Sequence, residues 1–163
     1  MNKVKDGSCP AVYGSELAIR PLESKDLPEV MNIELQGYSH PWTERIFLDC
    51  FKPGYRLWGI NENRVLVGYA VVSYVLDEAH LLNLCVHPGY RGQGVGRLLL
   101  RHLIGEAARE NMNQILLEVR LSNNIASKLY RKEGFEEIGR RPRYYPAASG
   151  WEDARVMALL LQS

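Results

Sequence analysis

The sequence predicts a mixed α/β domain in which one central sheet carries helices. Three observations make that prediction. Strand-like and helix-like segments follow one another from residue 16 almost to the end: strand, two helices, a strand meander, then a strand–helix–strand–helix–strand run. A glycine-rich stretch, His87 to Gly96, separates an apolar strand from a long amphipathic helix. The chain has 163 residues, 46% apolar and 24% charged, which suits one soluble domain with a sizeable core.

The elements follow in order. ELAIRPL (16–22) alternates like a short strand ending at Pro21. Ser24 is placed to cap a helix whose rhythm is Leu27, Val30, Met31, Ile33 and Glu34. Pro41 breaks that rhythm, Thr43 can cap a second short helix, and Lys52-Pro53-Gly54 ends it. YRLWGI and RVLVGYAVVSYVL read as a hairpin turning at Asn61-Glu62-Asn63. EAHLLNLCVH is a strand ending at Pro88. From Val95 to about Asn111, Val95, Leu98, Leu99, Leu103, Ile104, Ala107 and Ala108 share one helical face. QILLEV is a nearly continuous apolar strand, as expected where both sheet faces are covered. NIASKLYRKEG is a helix with Gly134 at its C′ position. FEEIG and DARVMALLL read as two closing strands.

Several function classes are excluded. The formal net charge of +1 offers no polyanion-binding surface, so direct nucleic-acid binding is not expected. Cys9, Cys50 and Cys85 are widely spaced with no CxxC, which reads as reduced thiols in a cytoplasmic protein. His40, His80, His87 and His102 lack metal-ligand spacing, so no metal is expected. No apolar run approaches the ~20 residues of a membrane span. Residues 1–15 lack a signal-peptide core and are expected to form a flexible extension before a single domain over 16–163.

The glycine-rich stretch carries the chemistry. A helix N-terminus offers unpaired N–H groups and partial positive charge, and glycines let a bulky anion approach them. Arg91-Gly92-Gln93-Gly94-Val95-Gly96 therefore reads either as a phosphate cradle or as a tight turn needing glycine for its own shape. A Walker loop would need Lys-Ser/Thr after its last glycine, and Arg97-Leu98 stands there. A dinucleotide fingerprint fits Gly92 and Gly94 but finds Arg97 where its third glycine belongs.

Arg91-x-x-Gly94-x-Gly96, after an apolar strand and before an amphipathic helix, resembles the coenzyme-A pyrophosphate loop of the GNAT N-acetyltransferase superfamily. LLNLCVHPGYRGQGVGRLLL and LLEVRLSNNIASKLYRKEGF together resemble its acetyl-CoA half. HPWTE (40–44), LDEAHLLNL (76–84), LEVRLSN (117–123) and YYPAASGWEDARVMAL (144–159) narrow the resemblance to the bacterial ribosomal-protein alanine N-acetyltransferases, the RimI group. It covers roughly residues 16–161 and implies a mostly antiparallel sheet of about seven strands, a splayed strand pair and four helices on both faces. It also implies acetyl-CoA as co-substrate, with the N-terminal alanine of small-subunit ribosomal protein 18 as acceptor; a monomer is expected over a stable oligomer. By resemblance, the backbone near Leu84, Cys85 and Val86 binds the pantetheine, and Gly92, Gln93, Gly94, Val95, Gly96 and Arg97 hold the pyrophosphate. Arg91 and Arg97 either add charge there or are simply solvated, and Asn123 lies against the cofactor.

The chemistry asks for a neutral amine, a proton acceptor and a proton donor. An α-amine, with its ordinary pKa of about 7.7–8.0, is neutral in roughly a tenth of molecules at pH 7; a lysine, near 10.4, far less. Glu118 interrupts Ile115-Leu116-Leu117-Glu118-Val119 and is either a strand-end charge or a base; the resemblance assigns the base, and partial burial is expected to raise its pKa. Tyr130 is either a core-edge aromatic or, by its place before Gly134-Phe135, the acid that meets the departing sulfur. Cys85 could form an acyl-enzyme, but no histidine is positioned to activate it, so a buried thiol is expected. Tyr38, Trp42, Tyr144 and Tyr145, in Pro- and Gly-punctuated segments, either line the acceptor groove, as the resemblance implies, or cap the sheet.

Three departures from the family pattern are visible: the longer N-terminus, Cys85 in place of a small residue such as alanine, and Gly89 where an acidic residue is common. The alternatives left open are acetylation of another protein N-terminus, a lysine or a small amine, and a non-catalytic acyl-CoA-binding module.

Overall fold

The computed structural model describes residues 16–161. The expected flexible extension, residues 1–15, lies outside the described residues. A seven-stranded sheet forms the centre, in the order β1-β2-β3-β4-β5-β7-β6. Its strands are β1 (Leu17–Pro21), β2 (Tyr55–Glu62), β3 (Val65–Val75), β4 (Glu78–Val86), β5 (Gln114–Arg120), β6 (Glu136–Ala147) and β7 (Gly150–Leu160). Every pairing is antiparallel except β4 with β5. Helices α1 (Leu27–Gly37), α2 (Glu44–Asp49), α3 (Val95–Arg109) and α4 (Asn124–Lys132) complete the fold.

Two apolar clusters occupy the two faces. The larger joins Val95, Leu99, Leu100 and Leu103 of α3 and Tyr130 of α4 to Val67, Leu81, Leu117 and Met157 of the sheet. The smaller joins Leu27, Val30 and Ile33 of α1 and Phe47 of α2 to Leu57, Tyr69, Val71 and Cys85. Full burial of one such side chain is worth about 1.5–3 kcal/mol.

The local signals hold in most places. Thr43 Oγ1 accepts from Ile46 N–H at 3.3 Å and caps α2. Gly134, at φ +101°, ends α4 in the left-handed conformation. Ser24 is no helix cap: it opens a single 3₁₀ turn, and Asp26 holds that turn by accepting from Glu23 N–H (2.8 Å) and from Arg20. The first hairpin turns at Asn63-Arg64, both at positive φ, so that of the expected Asn61-Glu62-Asn63 only Asn63 lies in the turn.

Two corrections bear on the site. β5 is not covered alike on both faces: Ile115, Leu117 and Val119 are buried, whereas Leu116, Glu118 and Arg120 are half-buried. β6 is far longer than FEEIG and carries Tyr144 and Tyr145 on a strand, not in a loop. Its register shifts between Glu137 and Gly139 and again between Arg141 and Tyr145, so Pro142, Arg143 and Tyr144 bulge from the ladder. Of the punctuation that suggests a loop, Pro142 lies in that bulge, Pro146 pairs with Trp151, and Gly150 opens β7 at φ +115°.

Candidate active site

The sheet opens between its two parallel strands. β4 and β5 are paired only from Glu78↔Gln114 to Leu81↔Leu117, although β4 runs on to Val86 and β5 to Arg120. Just past that point β4 carries a bulge: its register against β3 shifts between Leu81 and Asn83, with Leu82 unpaired. The bulge changes which residues face which side. Ala79, Leu81, Leu84 and Val86 pack with the α3 cluster, and Cys85 packs with the α1 cluster. Beyond the bulge, Tyr38 Oη donates to Leu84 O (2.8 Å) and Arg91 Nε donates to Val86 O (3.1 Å). Those two carbonyls therefore lie outside the β3 ladder. By alternation the N–H groups of Leu84 and Val86 turn toward the opening, and that of Cys85 turns toward β3.

At one lip stands the head of α3. Gly92 and Gly94 have φ of +74° and +81°, and Gly94 is the N-cap. Only glycine adopts this conformation freely, and an added Cβ at either would meet nothing within 4 Å. The first helical bond runs from Leu98 N–H to Gly94 O, so Val95, Gly96 and Arg97 have no helical acceptor for their N–H groups. The Val95 side chain is buried, Gln93 is exposed, and Gly96 packs against Val86 and Leu129. A cradle of backbone donors, open and kept clear of side chains, suits a diphosphate.

The two arginines do not point into it. Arg91 folds back to Val86 O, near Cys85 and Gly37. Arg97 Nε lies 3.3 Å from Glu133 Oε1, an ion pair without hydrogen-bond geometry, which ties α3 to α4. Asn123 caps α4, its Oδ1 accepting from Ala126 N–H at 3.1 Å.

Glu118 stands on the other lip. Its Oε2 is 2.6 Å from His80 Nε2 and its Oε1 is 3.3 Å from Arg141 Nε. The His80 hydrogen bond and the Arg141 guanidinium hold its carboxyl below the usual range, although burial pushes the other way. The expected upward shift is thus reversed. Tyr130 is buried, packs edge-on against Phe135, and has its phenol pushed up to about 12 by burial. Burial also raises Tyr145, which the Tyr144 and Tyr130 hydroxyls and Glu118 surround, and Tyr144, which faces Glu118 and Arg141. Tyr38 is raised by burial and by its neighbours Cys85 and Tyr130. Arg120 clamps this corner: it bonds Pro146 O (2.8 Å), meets Glu152 at 3.2 Å and lies 4.6 Å over the Tyr145 ring.

The acetyltransferase (GNAT) family pattern matches residues 18–135. The chain belongs to that family. GNAT enzymes transfer acetyl from acetyl-CoA, and the cradle heading α3 fits that co-substrate. A curated relative, the [ribosomal protein bS18]-alanine N-acetyltransferase of Escherichia coli K12, is 41% identical over 141 residues, 86% of this chain and 95% of the relative. The crystal structure of the ribosomal-protein-S18-alanine N-acetyltransferase from Escherichia coli superposes with a TM-score of 0.87 at 39% identity, covering 90% of this chain and 95% of that one. yncA from Salmonella typhimurium, solved with acetyl-CoA, shares the fold at TM-score 0.76 and 23% identity over 90% of this chain and 95% of its own.

Within the GNAT frame, the structure brings Tyr38, Glu118, Tyr130, Tyr144 and Tyr145 around one opening. Trp42 is set apart: its ring lies tilted against Phe47, centroids 5.1 Å apart, beside the small core. Cys85 is a buried thiol pushed up to about 11, chiefly by burial, and His87 turns instead to Tyr90 and Gly89 N–H. An acyl-cysteine route therefore finds neither thiolate nor base. Sequence reasoning missed two residues. Glu34 is 1% exposed and accepts from Trp42 N–H (2.8 Å), Asn83 Nδ2 (2.9 Å) and Tyr69 Oη, so it anchors the segment leaving α1. The signal was a carboxylate within the apolar stripe of a helix. His80 has no local signal, since its contact with Glu118 depends on a pairing register that the sequence does not display.

Proposed function

We propose that this enzyme acetylates the α-amino group of a protein N-terminal alanine, that of ribosomal protein bS18. The observation that carries the reading is the end of β4–β5 pairing at Leu81↔Leu117, which leaves an opening flanked by a backbone-donor cradle and a carboxylate. Likeness to a bS18-alanine enzyme over most of both chains favours that acceptor.

Acetyl-CoA supplies an activated acyl thioester. The N–H groups from Gly92 to Arg97 hold its diphosphate, the N–H groups of Leu84 and Val86 orient the arm behind it, and Asn123 borders the arm at the head of α4. Arg91 and Arg97 contribute by bracing the loop and α3. Glu118 receives the proton shed by the attacking nitrogen, and Tyr130 donates toward the departing sulfur. Tyr38, Tyr144 and Tyr145 line the approach of the peptide, and Trp42 supports that wall from behind. Such proton transfers contribute about 10²–10⁴-fold each. An α-amine suits this site better than a lysine, because roughly a tenth of α-amines are already neutral at pH 7 and far fewer lysines are.

The test is acetylation of an Ala-starting bS18 peptide beside a blocked peptide with an internal lysine. Transfer to the first and not to the second is expected. Acetylation of the lysine peptide alone would overturn the reading.

A further inference from the structure

Glu118 is one half of a pair. The parallel register sets His80 opposite Leu116 on the last rungs before the sheet opens. Leu116 and Glu118 share a face of β5, so the imidazole reaches the carboxylate, Nε2 to Oε2 at 2.6 Å. Two bare acceptors would repel at that distance, so a proton lies between them whichever group owns it. His80 is also the more open member, its side chain 33% exposed against 9% for Glu118.

The other groups around the pair cannot take up a proton near neutrality. Arg141 is permanently charged, and Tyr144 and Tyr145 are phenols that burial keeps protonated. From β3, the cross-strand neighbour of His80 is Ser73; from β5 it is Leu116. A carboxylate alone, ordinarily near 4, is several units from an α-ammonium of about 7.7–8.0, whereas an imidazole is ordinarily near 6.5.

We propose that His80 completes the base: Glu118 holds the imidazole, and the proton shed by the acceptor amine comes to rest on His80 before passing to solvent. This rests on the assignment of Glu118 above. The proton count closes. As the N–C bond forms, the amine's N–H proton leaves and its bonding electrons remain on nitrogen. The pair passes from carboxylate with neutral imidazole to carboxylate with imidazolium. Solvent then takes the proton and resets the pair. The C–S electrons leave with sulfur, which is served separately by Tyr130. Because Nε2–H already faces Glu118, the incoming proton is taken at Nδ1, and Glu118 holds the ring in that tautomer.

The experiment compares the parent with His80→Gln and His80→Ala, reading kcat/KM for the Ala-starting peptide from about pH 5 to about pH 9. Acetyl-CoA affinity by calorimetry controls for folding. His80→Gln keeps a hydrogen-bond donor to Glu118, so affinity stays within about twofold. Its kcat/KM at neutral pH falls about 10²-fold and the acid limb of the profile is lost. Added free imidazole restores part of the activity of His80→Ala. A His80→Gln profile superimposable on the parent's overturns the proposal and leaves Glu118 standing. A parent inert toward the peptide overturns the acceptor reading and this inference together. Should both variants misfold, NMR titration of the His80 ring in the parent and in Glu118→Gln decides: a midpoint that falls on loss of the carboxylate supports the pair, and an unchanged midpoint overturns it.

Discussion

Glu118 and Tyr130 are tuned in opposite directions, so each rests in the state that its proposed step requires. A carboxyl held low is ionised at neutral pH, and a phenol pushed up to about 12 is protonated. Tyr130→Phe removes only the hydroxyl from a buried ring. It is expected to lower kcat by about 10²-fold or more while leaving acetyl-CoA affinity unchanged, as single-turnover kinetics and calorimetry would show. Because Tyr130 stays protonated, the parent should show no alkaline loss of kcat from this group below about pH 10. The Glu118 shift also has a consequence for stability. A folded-state pKa below the unfolded value of about 4.3 gives stability that is present above that value and lost as pH falls through the folded one. Glu118→Gln should therefore lower Tm at neutral pH, and the difference from the parent should shrink in acid as the parent's own carboxylate is protonated. A difference that persists unchanged at about pH 2 would point to lost packing instead.

At the level of elements, the head of α3 and the carboxyl end of α1 each do one thing. Gly94 caps α3 with φ +81° over open space. Gly94→Ala costs roughly 1–2 kcal/mol for the left-handed backbone, and its methyl group enters the cradle. The expected result is a modest fall in Tm and a loss of acetyl-CoA affinity of about 10-fold or more. A loss of Tm with affinity intact would mean that the glycines serve only the turn. Glu34 receives three donors from three segments, and leaving a buried donor unmade costs about 1–3 kcal/mol. Glu34→Ala should destabilise the fold by several kcal/mol in denaturant titration; Glu34→Gln should raise the peptide KM more than the acetyl-CoA KM, because the segment tied at Trp42 also carries Tyr38. The helices and the cradle were legible in sequence because they rest on local signals: apolar period, Thr43, Gly94, Gly134. β6 was not, because Pro142 and Pro146 resemble turn residues until β7 supplies a partner, pairing Pro146 with Trp151 and leaving Pro142 in the bulge.

For the molecule as a whole, the sheet is a wall with one door. α3 and α4 pack on one face with their apolar cluster, α1 and α2 pack on the other with theirs, and the parting of β4 from β5 connects the two sides. The resemblance in the sequence implied that parting, but composition and periodicity could not, since it depends on where pairing stops and where the Leu82 bulge changes the facing of β4. The glycine cradle and Tyr130 belong to the α3–α4 side; Tyr38, at the end of α1, reaches the door from the other, and Glu118 stands on its lip. Two substrates entering from opposite sides and meeting in one opening should behave as a single ligand when joined. A conjugate linking the sulfur of coenzyme A through a two-carbon acyl bridge to the α-nitrogen of an Ala-starting peptide is expected to bind about 10²–10⁴-fold more tightly than coenzyme A alone, since the second contact becomes intramolecular. It should also compete with both substrates in steady-state kinetics. Competition with acetyl-CoA alone, at the affinity of coenzyme A, would mean that the peptide reaches the thioester by another route and that Tyr38, Tyr144 and Tyr145 line a wall the acceptor never touches.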